Sequence, residues 1–320
     1  MSYLEDLTKD LYDYKPPLTR ENDFDEFWSE TISQTKAVHL NPERIRYDFP
    51  INSVDVYEIS YNGFDDTKIY GWLILPAAKS SEKLPCLIHY HGFSGDRGHP
   101  SDFLAWAMMG VAVISVDCRE QGGKTGNSAK YSYSTAMNVM CKGIYDKREY
   151  YLRQMYMDAL KAIDFACEQP EIDSSKIILE GGSQGGGLVM AMCALDSRPI
   201  LGMADVPTYS NLQVRVENST GSFSSVFDYL KHYPERVEST FENLSYFDTM
   251  NMAENIKCPV YVSVGLKDPV CPALQYFATY NRIMSPKQIE FYPFNGHEGG
   301  SILHHEKKMR YLKSFLNNLR

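Results

Sequence analysis

The feature that most constrains this chain is an alternation of short, unbroken apolar runs with longer amphipathic ones. "LPCLIHYHG", "VAVISVD", "KIILEGG", "ILGMADV", "PVYVSVG" and "IEFYPF" are the strand candidates. Between them lie the helical patterns "YYLRQMYMDALKAIDFACEQ" and "LVMAMCALD", and "HHEKKMRYLKSFLNNL" forms a last helix. A strand without a polar side cannot border water, so each must be covered on both faces. The expected fold is therefore α/β, with a mostly parallel, doubly wound sheet and helices on both sides. With 320 residues, no internal repeat and no Pro/Gly/Ser-rich linker, the chain is expected to form one domain over 1–320.

Three stretches stand apart from the alternation. Residues 1–45 read as a helical extension, with "FDEFW" (Phe24 to Trp28) supplying its apolar face. "VDVYEISYNGFDDTKIYGWLIL" reads as two strands around a turn, because Asn62-Gly63 is a hairpin signal. Residues 208–257 are too long for an ordinary connection and carry their own helical pattern, so they are expected to form a small cap insertion over one sheet edge.

Composition excludes several classes of function. A formal net charge of -9 argues against an electrostatic grip on nucleic acid or anionic lipid. The purest apolar segment, "GVAVISV", is strand-sized, and the acidic N-terminus "MSYLEDLTKD" lacks the apolar core of a signal peptide. The seven cysteines include no CxxC pair, so reduced, mostly buried thiols in a cytoplasmic protein are expected, with no metal site.

The chemistry is concentrated in "LEGGSQGGGL", which places one serine among five glycines directly after an apolar run. No register satisfies the dinucleotide pattern G-x-G-x-x-G, and no lysine follows to make a phosphate-binding loop. "GGKT" at Gly122 to Thr125 has the right ending, but Cys118 stands where the first glycine belongs. What remains is G-x-S-x-G, Gly181-Gly182-Ser183-Gln184-Gly185, between a strand and a helix. That is the nucleophile-elbow pattern, in which a strained turn raises the serine hydroxyl above the sheet edge. Gly181 and Gly185 flank it because side chains there would collide with the strand and the helix.

A serine hydroxyl needs a histidine to take its proton and a carboxylate to orient that histidine, in the chain order Ser, Asp or Glu, His. His232, His297, His304 and His305 follow Ser183. His232 falls inside the expected cap, and His304 and His305 lie within the last helix. His297, in the glycine-flanked "FNGHEGG", can reach back over the sheet edge. H-E-x-x-H is absent, since Ser301 occupies its second histidine position. Asp268 follows "PVYVSVGLK" at a strand's C-terminal end and is the favoured acid; Asp205, which also ends a strand, and Asp248, in the expected cap, are rivals. The oxyanion donors are expected to be the backbone N–H of Gln184 and, after "HYHG", that of Phe93, with His89 and His91 shaping the turn.

With these residues in place, the sequence resembles carbohydrate esterase family seven, the acetyl xylan esterases and cephalosporin-C deacetylases. The similarity runs almost end to end through "FDEFW", "YHGF" (usually YHGY), "GGSQGGG", "SYFDTMN", "VGLKDPVCP" and "GHE". It implies an α/β-hydrolase fold, Ser183, Asp268 and His297 as triad, and the Phe93 and Gln184 amides as oxyanion hole. It also implies cofactor-free removal of acetyl groups from small acetylated sugars and cephalosporins, commonly in a hexamer. "AMNVMCKGIYDKREYYLRQMYMDAL" (residues 136–160) matches a stretch that lies at subunit contacts in that family. One departure stands out: the family's Arg-Gly-Gln is Arg119-Glu120-Gln121 here. A general short-chain carboxylesterase, a peptidase of the prolyl oligopeptidase type and a catalytically idle binding protein are the rival readings.

Overall fold

The computed structural model describes residues 3–77, 82–133 and 137–319. Its centre is a nine-stranded sheet of β1 (Glu43–Arg46), β2 (Val54–Asn62), β3 (Lys68–Pro76), β4 (Leu84–Tyr90), β5 (Ala112–Val116), β6 (Ile172–Gly182), β7 (Pro199–Asp205), β8 (Val260–Gly265) and β9 (Lys287–Tyr292). The spatial order is β1-β2-β3-β5-β4-β6-β7-β8-β9. β1, β2, β3 and β5 pair antiparallel in turn, and every pairing from β5 through β4 to β9 is parallel. This is the mixed, largely parallel sheet that the apolar runs predict.

The helices are α1 (Tyr3–Tyr12), α2 (Phe24–Ala37), α3 (Leu104–Met108), α4 (Tyr151–Glu168), α5 (Gln184–Leu195), α6 (Leu212–Glu217), α7 (Ser224–His232), α8 (Val237–Ser245), α9 (Ala273–Tyr280) and α10 (Ser301–Asn318). Even the fully apolar strands alternate between two cores. Cys86, Ile88, Ile177 and Leu179 pack with α2, α4, α5 and α9, while Leu87 and Ile178 join Trp106 of α3 and Leu312 of α10 on the other face. Covering both faces leaves β5 and β8 without an exposed residue.

Residues 1–45 are not wholly helical. β1 begins at Glu43 and pairs with β2. "ERIR" is an exposed edge strand held by backbone pairing, so it carries no apolar signature. The β2–β3 hairpin turns through a longer loop than an Asn-Gly turn requires. Gly63 N–H donates to Thr67 O (2.7 Å), Asp65 accepts from the Thr67 hydroxyl (2.6 Å), and Asp66 rather than Gly63 takes the positive φ of 62°. Within 208–257, α7 and α8 with the residues flanking them bury Phe223, Tyr229, Leu244 and Phe247 in the larger core.

In the segment 136–160, matched by resemblance to a stretch at subunit contacts, much of the Met and Tyr content is internal. Its first residue, Ala136, lies outside the described residues. Met140, Tyr150, Tyr151, Met155, Tyr156 and Met157 are all buried inside the chain. These six side chains belong to the larger core, while Met137 and Tyr145 of the same segment are only part-buried. All seven cysteines are free thiols, five of them buried.

Candidate active site

β6 ends at Gly182 and α5 starts at Gln184, so the chain must reverse within one residue. Ser183 does so at φ 57°, ψ −117°, a conformation costing about 1–3 kcal/mol that persists only when its surroundings impose it. Here the Ser183 amide donates to Asp205 O (2.8 Å), and its carbonyl accepts from Gly187 N (3.0 Å) and Thr208 N (3.1 Å). A Cβ on Gly185 would sit 1.8 Å from Tyr90 O, and one on Gly181 would sit 2.6 Å from it. Only glycine lets α5 approach β4 that closely.

His297 comes from the loop after β9 and Asp268 from the loop after β8. His297 Nε2 lies 2.9 Å from Ser183 Oγ, and His297 Nδ1 lies 2.8 Å from Asp268 Oδ2. With the Nδ1 proton directed at Asp268, Nε2 is free to accept from the serine hydroxyl. The other Asp268 oxygen accepts from the amides of Val270 (2.8 Å) and Cys271 (2.9 Å). Burial works to raise the Asp268 pKa, but the His297 bond and these amides hold it below the ordinary carboxylate value. His297 is raised above the ordinary histidine value, first by the Asp268 hydrogen bond and then by Cys271. Asp268, Cys271 and His297 bring ligand-type atoms within 4.8 Å of one another. The aspartate and histidine atoms already bond each other and Ser183, so this cluster is the triad geometry with a thiol beside it.

The rival residues are occupied elsewhere. Asp205 takes bonds from Lys308 and from Ser263 Oγ (2.9 Å), with His304 Nε2 at 2.9 Å. Asp248 accepts from the amides of Asn211, Leu212 and Met250, and burial pushes its pKa up to about 6. His232 is exposed and bonds Asp228 O, and His305 stands edge-on to Trp106. His91 does shape the oxyanion turn: Nδ1 donates to Gly92 O (2.7 Å), while Nε2 accepts from Cys118 N (2.8 Å). His89 does not. It lies within β4, beside Phe103 and paired with Glu180 at 2.6 Å on the face covered by α10, whereas His91 lies past the strand end, where the backbone has already turned.

The turn after β4 is closed by Gly95 N donating to Gly92 O (3.0 Å). The Phe93 amide makes no hydrogen bond among the described residues, and that of Gln184 lies in the first turn of α5, where amides have no helical partner. Both segments are tied to Gln121, which sequence reasoning left without a role. Its Oε1 accepts from Ser94 N (2.9 Å), while its Nε2 donates to Gln184 Oε1 (2.9 Å) and Tyr151 OH (3.0 Å). The same loop is anchored by Arg119, fully buried against Asp158 (2.6 Å) and Asp65 (2.9 Å). Ser183 and His297 open into a cavity of about 460 Å³ that Phe93, Thr208, Arg215 and Cys271 also line. Thr208, in the loop after β7, and Arg215, in α6, went unnoticed in the sequence because an isolated Thr or Arg carries no local signal. A serine hydroxyl bonded to an imidazole, in a cleft bordered by Phe93 and Gln184, is suited to acyl transfer.

A family model described as acetyl xylan esterase (AXE1) matches residues 1–315. The chain is 26% identical over 292 residues to the acetyl esterase Axe7A of Xylanibacter ruminicola, covering 88% of this chain and 65% of that protein. It therefore spans about two thirds of that relative's length. Among solved structures it is similar to an acetyl xylan esterase from Paenibacillus sp. R4, with a TM-score of 0.92, 38% identity and coverage of 98% and 99% of the two chains. It is also similar to acetyl xylan esterase 1 from Thermoanaerobacterium sp. JW/SL YS485, with a TM-score of 0.90, 28% identity and coverage of 96% and 98%.

Proposed function

The chain belongs to the acetyl xylan esterase (AXE1) family of carboxylic-ester hydrolases, and from that premise we propose that it removes acetyl groups from small acetylated sugars by covalent catalysis at Ser183. The observation that carries this reading is the hydrogen-bonded series Ser183–His297–Asp268 on a strained elbow. In the proposed reaction Ser183 Oγ attacks the acetyl carbonyl while His297 Nε2 takes the hydroxyl proton. Asp268 keeps the imidazole in the required tautomer and stabilises it once protonated. The oxyanion forms opposite the Phe93 and Gln184 amides. His297 then returns the proton to the departing sugar oxygen, leaving an acetyl-Ser183 ester. A water molecule, deprotonated by His297, releases acetate. No step calls for a cofactor.

The test is acetate release from acetylated xylo-oligosaccharides and cephalosporin C, with butyryl esters as controls and fluorophosphonate labelling of Ser183. Labelling and turnover together support the reading, and an unlabelled serine in folded protein overturns it. Cephalosporin C is proposed as a substrate because the alcohol is small and its ester is an acetate. We further propose a cytoplasmic homo-oligomer, a hexamer by family membership. What favours self-association here is an exposed apolar surface beside the base: Phe294, Ile302 and Leu303 are 75%, 74% and 69% exposed around the loop that carries His297.

A further inference from the structure

Phe93 is a wall shared by two cavities. One holds Ser183 and His297; the other, of about 620 Å³, is lined by Glu120, Gln121, Asn138 and Lys142. An ester attacked by Ser183 has an acyl part and an alcohol part to accommodate, and the cavities on the two sides of Phe93 offer one place for each.

Two observations single out Glu120 in that second cavity. Its backbone lies at φ 54°, in the left-handed region that favours glycine, so the side chain is kept despite a steric cost. Both carboxylate oxygens are committed: Oε1 accepts from Lys142 Nζ and Oε2 from Asn127 Nδ2 (2.7 Å). The two side chains of the ion pair are only partly exposed, Glu120 at 35% and Lys142 at 27%. Burial works to raise the Glu120 pKa, but Lys142 and Asn127 hold it below the ordinary value, so the group is an anion at neutral pH. The charge of Lys142 is therefore cancelled at the cavity wall.

We propose that Glu120 is a specificity-determining residue of an alcohol-side subsite, where by neutralising Lys142 it favours uncharged, hydroxyl-bearing alcohol portions over anionic ones. The proposal rests on the reading of Ser183 as an esterase nucleophile. A carboxylate on the alcohol portion meets Glu120 as a like charge and finds Lys142 already paired, which is discrimination by repulsion. An uncharged polyol avoids that repulsion and can donate hydroxyl protons to Glu120 and to the amide oxygens beside it.

The experiment compares kcat/KM for 4-acetoxybenzamide and 4-acetoxybenzoate, which are close in shape and differ in charge. The wild-type protein should prefer the amide. Glu120→Gln should shift the ratio about tenfold toward the benzoate, and added salt should shrink that shift. The double variant Glu120→Gln/Lys142→Met should lose the shift, because the unpaired ammonium is its source. Both ratios come from one preparation, so a partly unfolded sample cancels. A ratio that stays put in Glu120→Gln overturns the subsite proposal alone, provided both esters are hydrolysed. If the wild-type protein hydrolyses neither ester, the esterase reading falls and the subsite falls with it.

Discussion

Ser183 is held where a serine does not go unaided, by backbone bonds from β7 and from the residues after it. Its replacement by alanine should leave the fold intact and lower kcat by about 10⁴-fold or more, because the three groups act as a unit. Circular dichroism checks the fold, and a folded variant keeping a few per cent of activity would exclude Ser183 as nucleophile. Asp268→Asn should be far more damaging to kcat than Asp205→Asn or Asp248→Asn, since only Asp268 touches His297 among the three. The pH profile carries a sign. His297 must be neutral to accept a proton, so activity is present above its pKa and lost as pH falls through it. Asp268 raises that pKa above the ordinary 6.5, so kcat/KM should rise with a midpoint above 6.5, and the residual activity of Asp268→Asn should titrate lower. A wild-type midpoint at or below 6.5 would count against the His297–Asp268 pair as the working form.

At the scale of elements, two arrangements support the elbow from opposite sides. The loop after β5 brings Gln121 between the Ser94 amide and the Gln184 side chain, so it positions both proposed oxyanion segments. Gln121→Leu should lower kcat by about tenfold to a hundredfold with a smaller change in KM, as loosening an oxyanion donor does. An increase in KM alone would make Gln121 a binding residue instead. On the other face, Lys308 of α10 is buried between Glu180 of β6 and Asp205 of β7. Lys308→Met removes the cation between the two carboxylates, leaving Glu180 with His89 and Asp205 with His304 and Ser263, and should cost about 3 kcal/mol or more, read by urea unfolding. Burial works to raise the Glu180 pKa, but Lys308 and His89 hold it well below the ordinary value. A depressed carboxylate contributes stability above its unfolded pKa of about 4.3 and loses it as pH falls further. Wild-type stability should therefore drop below about pH 4, and Lys308→Met should flatten that dependence.

For the whole molecule, acetyl esters should exceed butyryl esters by about tenfold or more in kcat/KM, since each methylene in a confined site is worth about 1–3 kcal/mol. Equal rates would indicate a general carboxylesterase. Light scattering at micromolar concentration should show an assembly larger than the 36.6 kDa chain, and Leu303→Glu should reduce it. A lone monomer would remove the oligomer proposal. The fold class was legible in sequence because a parallel strand buried on both faces must be largely apolar, and such runs alternate with helices, the edge strand β9 being the one of the six with no buried residue. The serine elbow was legible because its glycines follow from close backbone approach, a demand written in five consecutive residues. Asp268 and His297 could be named from chain order and strand ends, which are local. Edge strand β1 was not legible, since backbone pairing leaves no mark on side-chain pattern. Nor were the internal packing of Met155, Tyr156 and Met157, the bridge made by Gln121, or the pairing of Glu120 with Lys142. Each depends on groups brought together from distant parts of the chain, and a hydrogen bond or ion pair between them exists only once the sheet has set their separation.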